Sequence, residues 1–126
     1  MAKTFNDALQ GNFAGPVERS PEELLKELAS SLRQKMKYQI GLDVVSGAGD
    51  GRVVHTVRAT IDRLDYILDL LSVSHEVLQL YPARLSGMLV AATTEVQTED
   101  ELFDVLVRCF NSKKAETTLG TLLKQA

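Results

Sequence analysis

The chain has 126 residues, 14 Lys+Arg against 17 Asp+Glu, a formal net charge of -3 and 44% hydrophobic residues. That is the balance of one ordinary globular domain, too apolar for a disordered chain. A single Cys109 and two separated histidines, His55 and His75, exclude a disulfide scaffold and a closed zinc site, which needs about four N or S ligands.

Residues 1–19 form an arm. Gly11, Gly15 and Pro16 discourage a stable helix, while Phe5, Leu9 and Phe13 recur every fourth residue and would share one side of a helical turn. The opening MAKTFNDALQGNF lacks the apolar stretch of a secretory signal. No apolar run approaches the ~20 residues of a membrane-spanning helix. Both absences place the protein in the cytoplasm or an equivalent reducing compartment.

Ser20-Pro21-Glu22-Glu23 reads as a helix start, with Ser20 as cap, Pro21 at the first helical position and Glu23 completing a capping box. Leu24, Leu25, Leu28, Leu32, Met36 and Ile40 then make a helical stripe, with Gly41 as its stop. The glycines from Gly47 to Gly51 mark a turn, and here the reading forks. Alternation from Tyr38 to Val44 and β-branched Val53, Val54 and Val57 allow a hairpin around 38–60. A heptad-like series, Val54, Val57, Ile61, Leu64, Leu68 and Leu71, continues through His75 to Leu78 and favours one long helix from about Arg52 to Leu80. Pro82 is expected to open a third helix carrying Leu85, Met88, Leu89, Ala92 and Val96. Thr98-Glu99-Asp100-Glu101 reads as a second capping box heading a fourth helix with Leu102, Leu106, Cys109 and Phe110. Asn111-Ser112 breaks it before a last helix bearing Ala115, Leu119, Leu122 and Leu123. The expected fold is therefore an all-α bundle of about five helices over 20–126, behind the arm, with an α+β fold as the alternative.

The chemistry-bearing patterns are weak. The glycine loop lacks the Gly-Lys-Ser/Thr of a phosphate-binding loop, and Arg52 stands where a dinucleotide fingerprint has its third Gly. Cys109, on an apolar helix face, reads as core filler with a raised pKa. In the long seam His75 reads as a satisfied core histidine, His55 as a surface residue between Arg52 and Arg58, and Asp62, Asp65 and Asp69 as a solvated stripe. Arg33, Lys35 and Lys37 form a basic cluster, but the net negative charge and the lack of stacking aromatics beyond Tyr38 disfavour nucleic acid.

The long helix would also carry a second apolar stripe, Tyr66, Leu70, Val73, Val77 and Leu80, which marks a contact face. Together these readings point to a non-enzymatic protein–protein interaction domain without cofactor or metal. It would be an adaptor, chaperone, inhibitor or assembly factor that self-associates as a dimer or larger through that stripe. The arm, Phe5, Leu9 and Phe13, would dock on the protein itself, its dimer mate or another protein. A nucleic-acid-associated regulator is the alternative.

Overall fold

The computed structural model describes residues 4–11 and 13–126. Its element order is a one-turn helix α1 (Phe5–Ala8), α2 (Pro21–Lys35), strands β1 (Gly41–Gly49), β2 (Arg52–Ile61), β3 (Tyr66–Glu76), β4 (Ala83–Ser86) and β5 (Thr94–Val96), then α3 (Glu99–Phe110) and α4 (Lys113–Gln125). The strands form one antiparallel meander in the order β1-β2-β3-β4-β5. The chain is thus α+β, and the all-α bundle is overturned.

The expected long helix over Arg52 to Leu80 is replaced by β2, a 3-10 turn at Asp62–Leu64 and β3, paired from Arg52↔Glu76 to Ile61↔Tyr66. The physical reason lies in what the inward positions hold. Along β2 the buried residues are His55, Val57, Ala59 and Ile61, a strict period of two. Two of the four, a histidine and a small alanine, do not register as large apolar groups, so the alternation is hidden. A bulge between Val57 and Arg58 then leaves Leu70 as an extra residue on β3 and buries it beside Leu71, which breaks the alternation there and imitates a helical spacing. The reversal itself carries no Gly or Pro; Asp65 closes it in the left-handed conformation at φ 51°.

The expected third helix after Pro82 is likewise absent: β4 and β5 occupy that stretch, and Val90, Thr93 and Thr94 suit extended backbone. Gly87, at φ +121°, ends β4 where a Cβ would lie 2.8 Å from the Leu71 Cα, so the backbones approach too closely for any side chain. The β1–β2 hairpin turns on Asp50-Gly51, both at positive φ (54° and 75°), the conformation a two-residue hairpin loop requires.

The helix starts expected at Ser20 and Thr98 are found. The Ser20 hydroxyl accepts from the Glu23 N–H at 3.2 Å while the Glu23 carboxylate accepts from the Ser20 N–H at 3.5 Å. Thr98 caps α3 in the same way through the Glu101 N–H, but the Glu101 carboxylate accepts from the Gln97 N–H at 2.8 Å instead of from its own cap residue. Helix α2 ends earlier than the stripe suggested, at Lys35; Lys37 and Tyr38 adopt positive φ, and Met36 and Ile40 stay buried from the connection into β1.

One core joins the inward face of the sheet (Leu42, Val57, Leu71, Val73, Leu85, Val96) to the buried stripes of α2 (Leu24, Leu25, Ala29), α3 (Leu102, Leu106) and α4 (Ala115, Leu119, Leu122). The opposite sheet face is mostly polar, crossed by an Arg58–Asp69 pair at 2.8 Å and a Thr56–Ser72 hydroxyl bond at 2.8 Å, with Val45, Val54 and Ile67 exposed among them. Fold positions two features for function: the buried histidines under α2, and the grooves the three long helices leave between themselves and the sheet.

Candidate functional site

The residues expected to form one contact stripe do not share a face. Leu70 and Val73 lie fully inside the core; Tyr66 and Val77 are exposed, and Leu80 is partly buried after β3. Without the helix that would align them, the stripe does not exist as a surface.

Apolar surface is displayed elsewhere. A groove of about 300 Å³ runs between α2 and α3, floored by Leu24, Leu28 and Leu106 and edged by Phe103 and Val107. Phe103 and Val107 are exposed although they stand among the most apolar residues of α3, because Leu102 and Leu106 already take the buried positions of that helix. Arg19 lines it as well. It pairs with Glu27 of α2 and Glu99 of α3, and its guanidinium lies over the Phe103 ring. That guanidinium holds the Glu99 carboxyl below its ordinary range. The Tyr81 hydroxyl donates to the Arg19 carbonyl at 2.9 Å, so the base of the arm is fastened to both helices and to the sheet side. A second groove lies between α4 and the β2–β3 turn, lined by Ile61, Leu64, Tyr66, Leu68 and Leu122.

The arm leaves this fastened root with its apolar groups in solvent. Phe5, Leu9, Phe13 and Val17 are 85%, 57%, 77% and 104% exposed, and α1 buries none of its residues. Val17 extends the four-residue spacing of the other three by one step, a continuation visible in the sequence.

His55 is buried at 3% exposure, against the expectation of a surface residue, because β2 turns it inward where a helix would have turned it out. It stands diagonally across the β2–β3 ladder from His75, itself 5% exposed, and their Nε2 atoms are 3.0 Å apart. Ser46 of β1 lies 2.6 Å from His55 Nδ1, and His75 Nδ1 faces the carbonyls of Glu76 (2.7 Å) and Gln79 (3.0 Å). Burial pushes the His55 pKa down, opposed by the Glu22 carboxylate 3.9 Å away and reinforced by His75 and Lys26. Sequence reading missed this cluster; its signal was two histidines at inward positions of paired strands, which is readable only once the strands are recognised. Two imidazoles alone make no metal centre, and among the described residues no group of three or more His, Cys, Asp or Glu is placed to hold an ion.

Cys109 is half-buried against the core, and burial raises its thiol pKa, with Arg108 opposing. Asp62 and Asp65 fall in the turn and Asp69 on the outer sheet face, so the expected helical stripe of carboxylates is not formed. Four of the arginines are engaged: Arg33 with the Leu42 carbonyl and Asp43, Arg58 with Asp69, Arg63 with the Gln125 carbonyl, and Arg52 with the Ser74 hydroxyl. None of the described helices is long and apolar enough to cross a membrane. Compared with protein-family models, with curated proteins and with solved structures, the chain finds no significant match.

Proposed function

We propose that the protein is a non-enzymatic protein–protein interaction domain whose first partner is a second copy of itself, joined by exchange of the N-terminal arms. The observation that carries this reading is the pairing of two unsatisfied apolar surfaces: four arm side chains at four-residue spacing in solvent, and the α2/α3 groove at the arm's own root. Free apolar groups of this size associate, because each large side chain removed from water contributes roughly 1.5–3 kcal/mol.

The place of Arg19 favours a second copy. It is both the last residue of the arm and part of the groove's lining, so a two-fold axis passing close to it lets each arm lie in the neighbouring groove, and the exchange closes on itself as a dimer. Gly11, Gly15 and Pro16 let the segment follow a groove without the cost of bending a rigid helix. An adaptor, chaperone, inhibitor or assembly factor would use the remaining apolar surface, the α4 groove with Tyr66 and Leu64, for a further protein.

Light scattering on the full chain, on a chain lacking residues 1–15 and on a Phe103→Asp variant tests this. The expected result is a dimer for the full chain and folded monomers for the other two. A full-length monomer at high micromolar concentration overturns self-association. A dimer that survives both changes overturns the groove as its seat.

A further inference from the structure

We propose that Ser46, His55 and His75 form a buried single-proton switch: a directed hydrogen-bond chain that takes one proton at His55 Nδ1, with Glu22 as counter-ion, and that a second proton must break. The proposal is independent of the arm and its groove.

The direction of the chain follows from which groups can only accept. The Glu76 and Gln79 carbonyls have no hydrogen to give, so His75 Nδ1 carries one and donates to them. Neutral His75 therefore has its lone pair on Nε2, and the His55 Nε2–H donates to it at 3.0 Å. That leaves the His55 Nδ1 lone pair to accept from the Ser46 hydroxyl at 2.6 Å. Every polar atom of both rings is satisfied, and among the described residues no buried side-chain N or O lacks a partner. The two rings must hold opposite tautomers, a pattern that packing alone would not impose.

A first proton has one place to go without breaking this chain. On His55 Nδ1 it reverses the Ser46 bond, so that the ring donates and the hydroxyl oxygen accepts, and it leaves the Nε2–H bond to His75 intact. From α2, Glu22, 3.9 Å from Nδ1 and itself paired with Lys26 at 2.9 Å, favours the charge and Lys26 opposes it; from β3, His75 opposes it as well. β1 contributes the uncharged Ser46, and on the sheet the rings' cross-strand neighbours are Val73, Val53 and Ala83. A second proton has only His75 Nε2 to occupy. It would set two N–H groups and two positive rings head to head at the 3.0 Å now spanned by one hydrogen bond, so the contact must open.

Opening would act on the two segments the pair holds. Ser46 belongs to β1, whose outer edge has no neighbouring strand among the described residues, and Gln79 belongs to the connection between β3 and β4. The sign is acid-destabilising. Because the folded-state pKa of His55 is held below 6.5, the unfolded chain binds protons first as pH falls through that value, and stability present above it is lost.

Long-range nitrogen–proton correlation spectra of the full chain from pH 8 to pH 5, with amide hydrogen exchange at the same pH values, test this. At pH 8 the expected spectrum has His55 protonated on Nε2 and His75 on Nδ1; on acidification the first added proton appears at His55 Nδ1, and protection at 45–48 and 77–80 falls only with the second. Glu22→Gln, conservative in size, should move the first step down by about half a pH unit, a roughly threefold loss of proton affinity. The same tautomer on both rings, two independent titrations with unchanged exchange, or a first step insensitive to Glu22→Gln would each overturn the switch.

Discussion

The helix-covered face of the sheet and the N-terminal arm are built from similar large apolar side chains in regular series, and they end in opposite environments. Leu25 and Val73 are 0% exposed, whereas Phe5 and Phe13 are 85% and 77% exposed. The difference lies in what stands opposite. The stripe of α2 meets the inward residues of β1 and β2, each helping to keep water from the other, and the capped helix holds the stripe rigid. Among its described residues the arm has one helical turn, and none of its apolar side chains is buried against a facing element. Regular spacing identifies an apolar side; only a facing element turns it into a core.

Substitutions on the two sides should separate sharply. The largest effect belongs to Val73→Asp: a carboxylate among Leu85, His55 and the helices would lose its water without gaining a partner, and the loss of about 4 kcal/mol or more should leave the chain unfolded by circular dichroism. Leu25→Ala, under α2, should cost about 3 kcal/mol in urea unfolding, the usual range for a buried leucine that leaves a cavity. Ser20→Ala removes the capping hydroxyl at the junction between the two regions and should cost about 1 kcal/mol while leaving the oligomeric state unchanged. Phe5→Ala, in the arm, should change monomer stability by less than about 0.5 kcal/mol and register only in the dimerisation constant. A Phe5→Ala loss as large as that of Leu25→Ala would place the arm inside the fold and end the contrast.

The helices at Ser20 and Thr98 were legible because their start signals are local: a hydroxyl, a carboxylate three residues on, and acids at the positive end need nothing distant to act. The last helix was legible from the apolar spacing of Ala115, Leu119, Leu122 and Leu123 after the Asn111-Ser112 break, and the structure makes Ser112 its cap. The middle of the chain was not. Between Arg52 and Leu80 the apolar residues fit a heptad about as well as they fit two strands, since the inward positions of β2 include His55 and Ala59 and the bulge at β3 places Leu70 and Leu71 together inside. The hairpin at Asp50-Gly51 left a clear local mark; the reversal at Asp62–Asp65 left none, because a left-handed aspartate replaces the glycine a turn would advertise.

By itself, then, the sequence determined the four-residue apolar series of the arm, the helix starts at Ser20 and Thr98 and the absence of a disulfide framework, all consequences of composition or of interactions spanning a few residues. The tertiary structure decided which long-range partners each apolar residue has. It turned a supposed helix into the centre of a sheet, moved His55 from surface to interior, and dispersed the stripe of Tyr66, Leu70, Val73, Val77 and Leu80 between core and solvent. It also brought Ser46, His55 and His75 into one hydrogen-bonded line from three strands. Strand pairing is settled by contacts far apart in the chain, where one bulge shifts a whole register, so no local spacing could have fixed it.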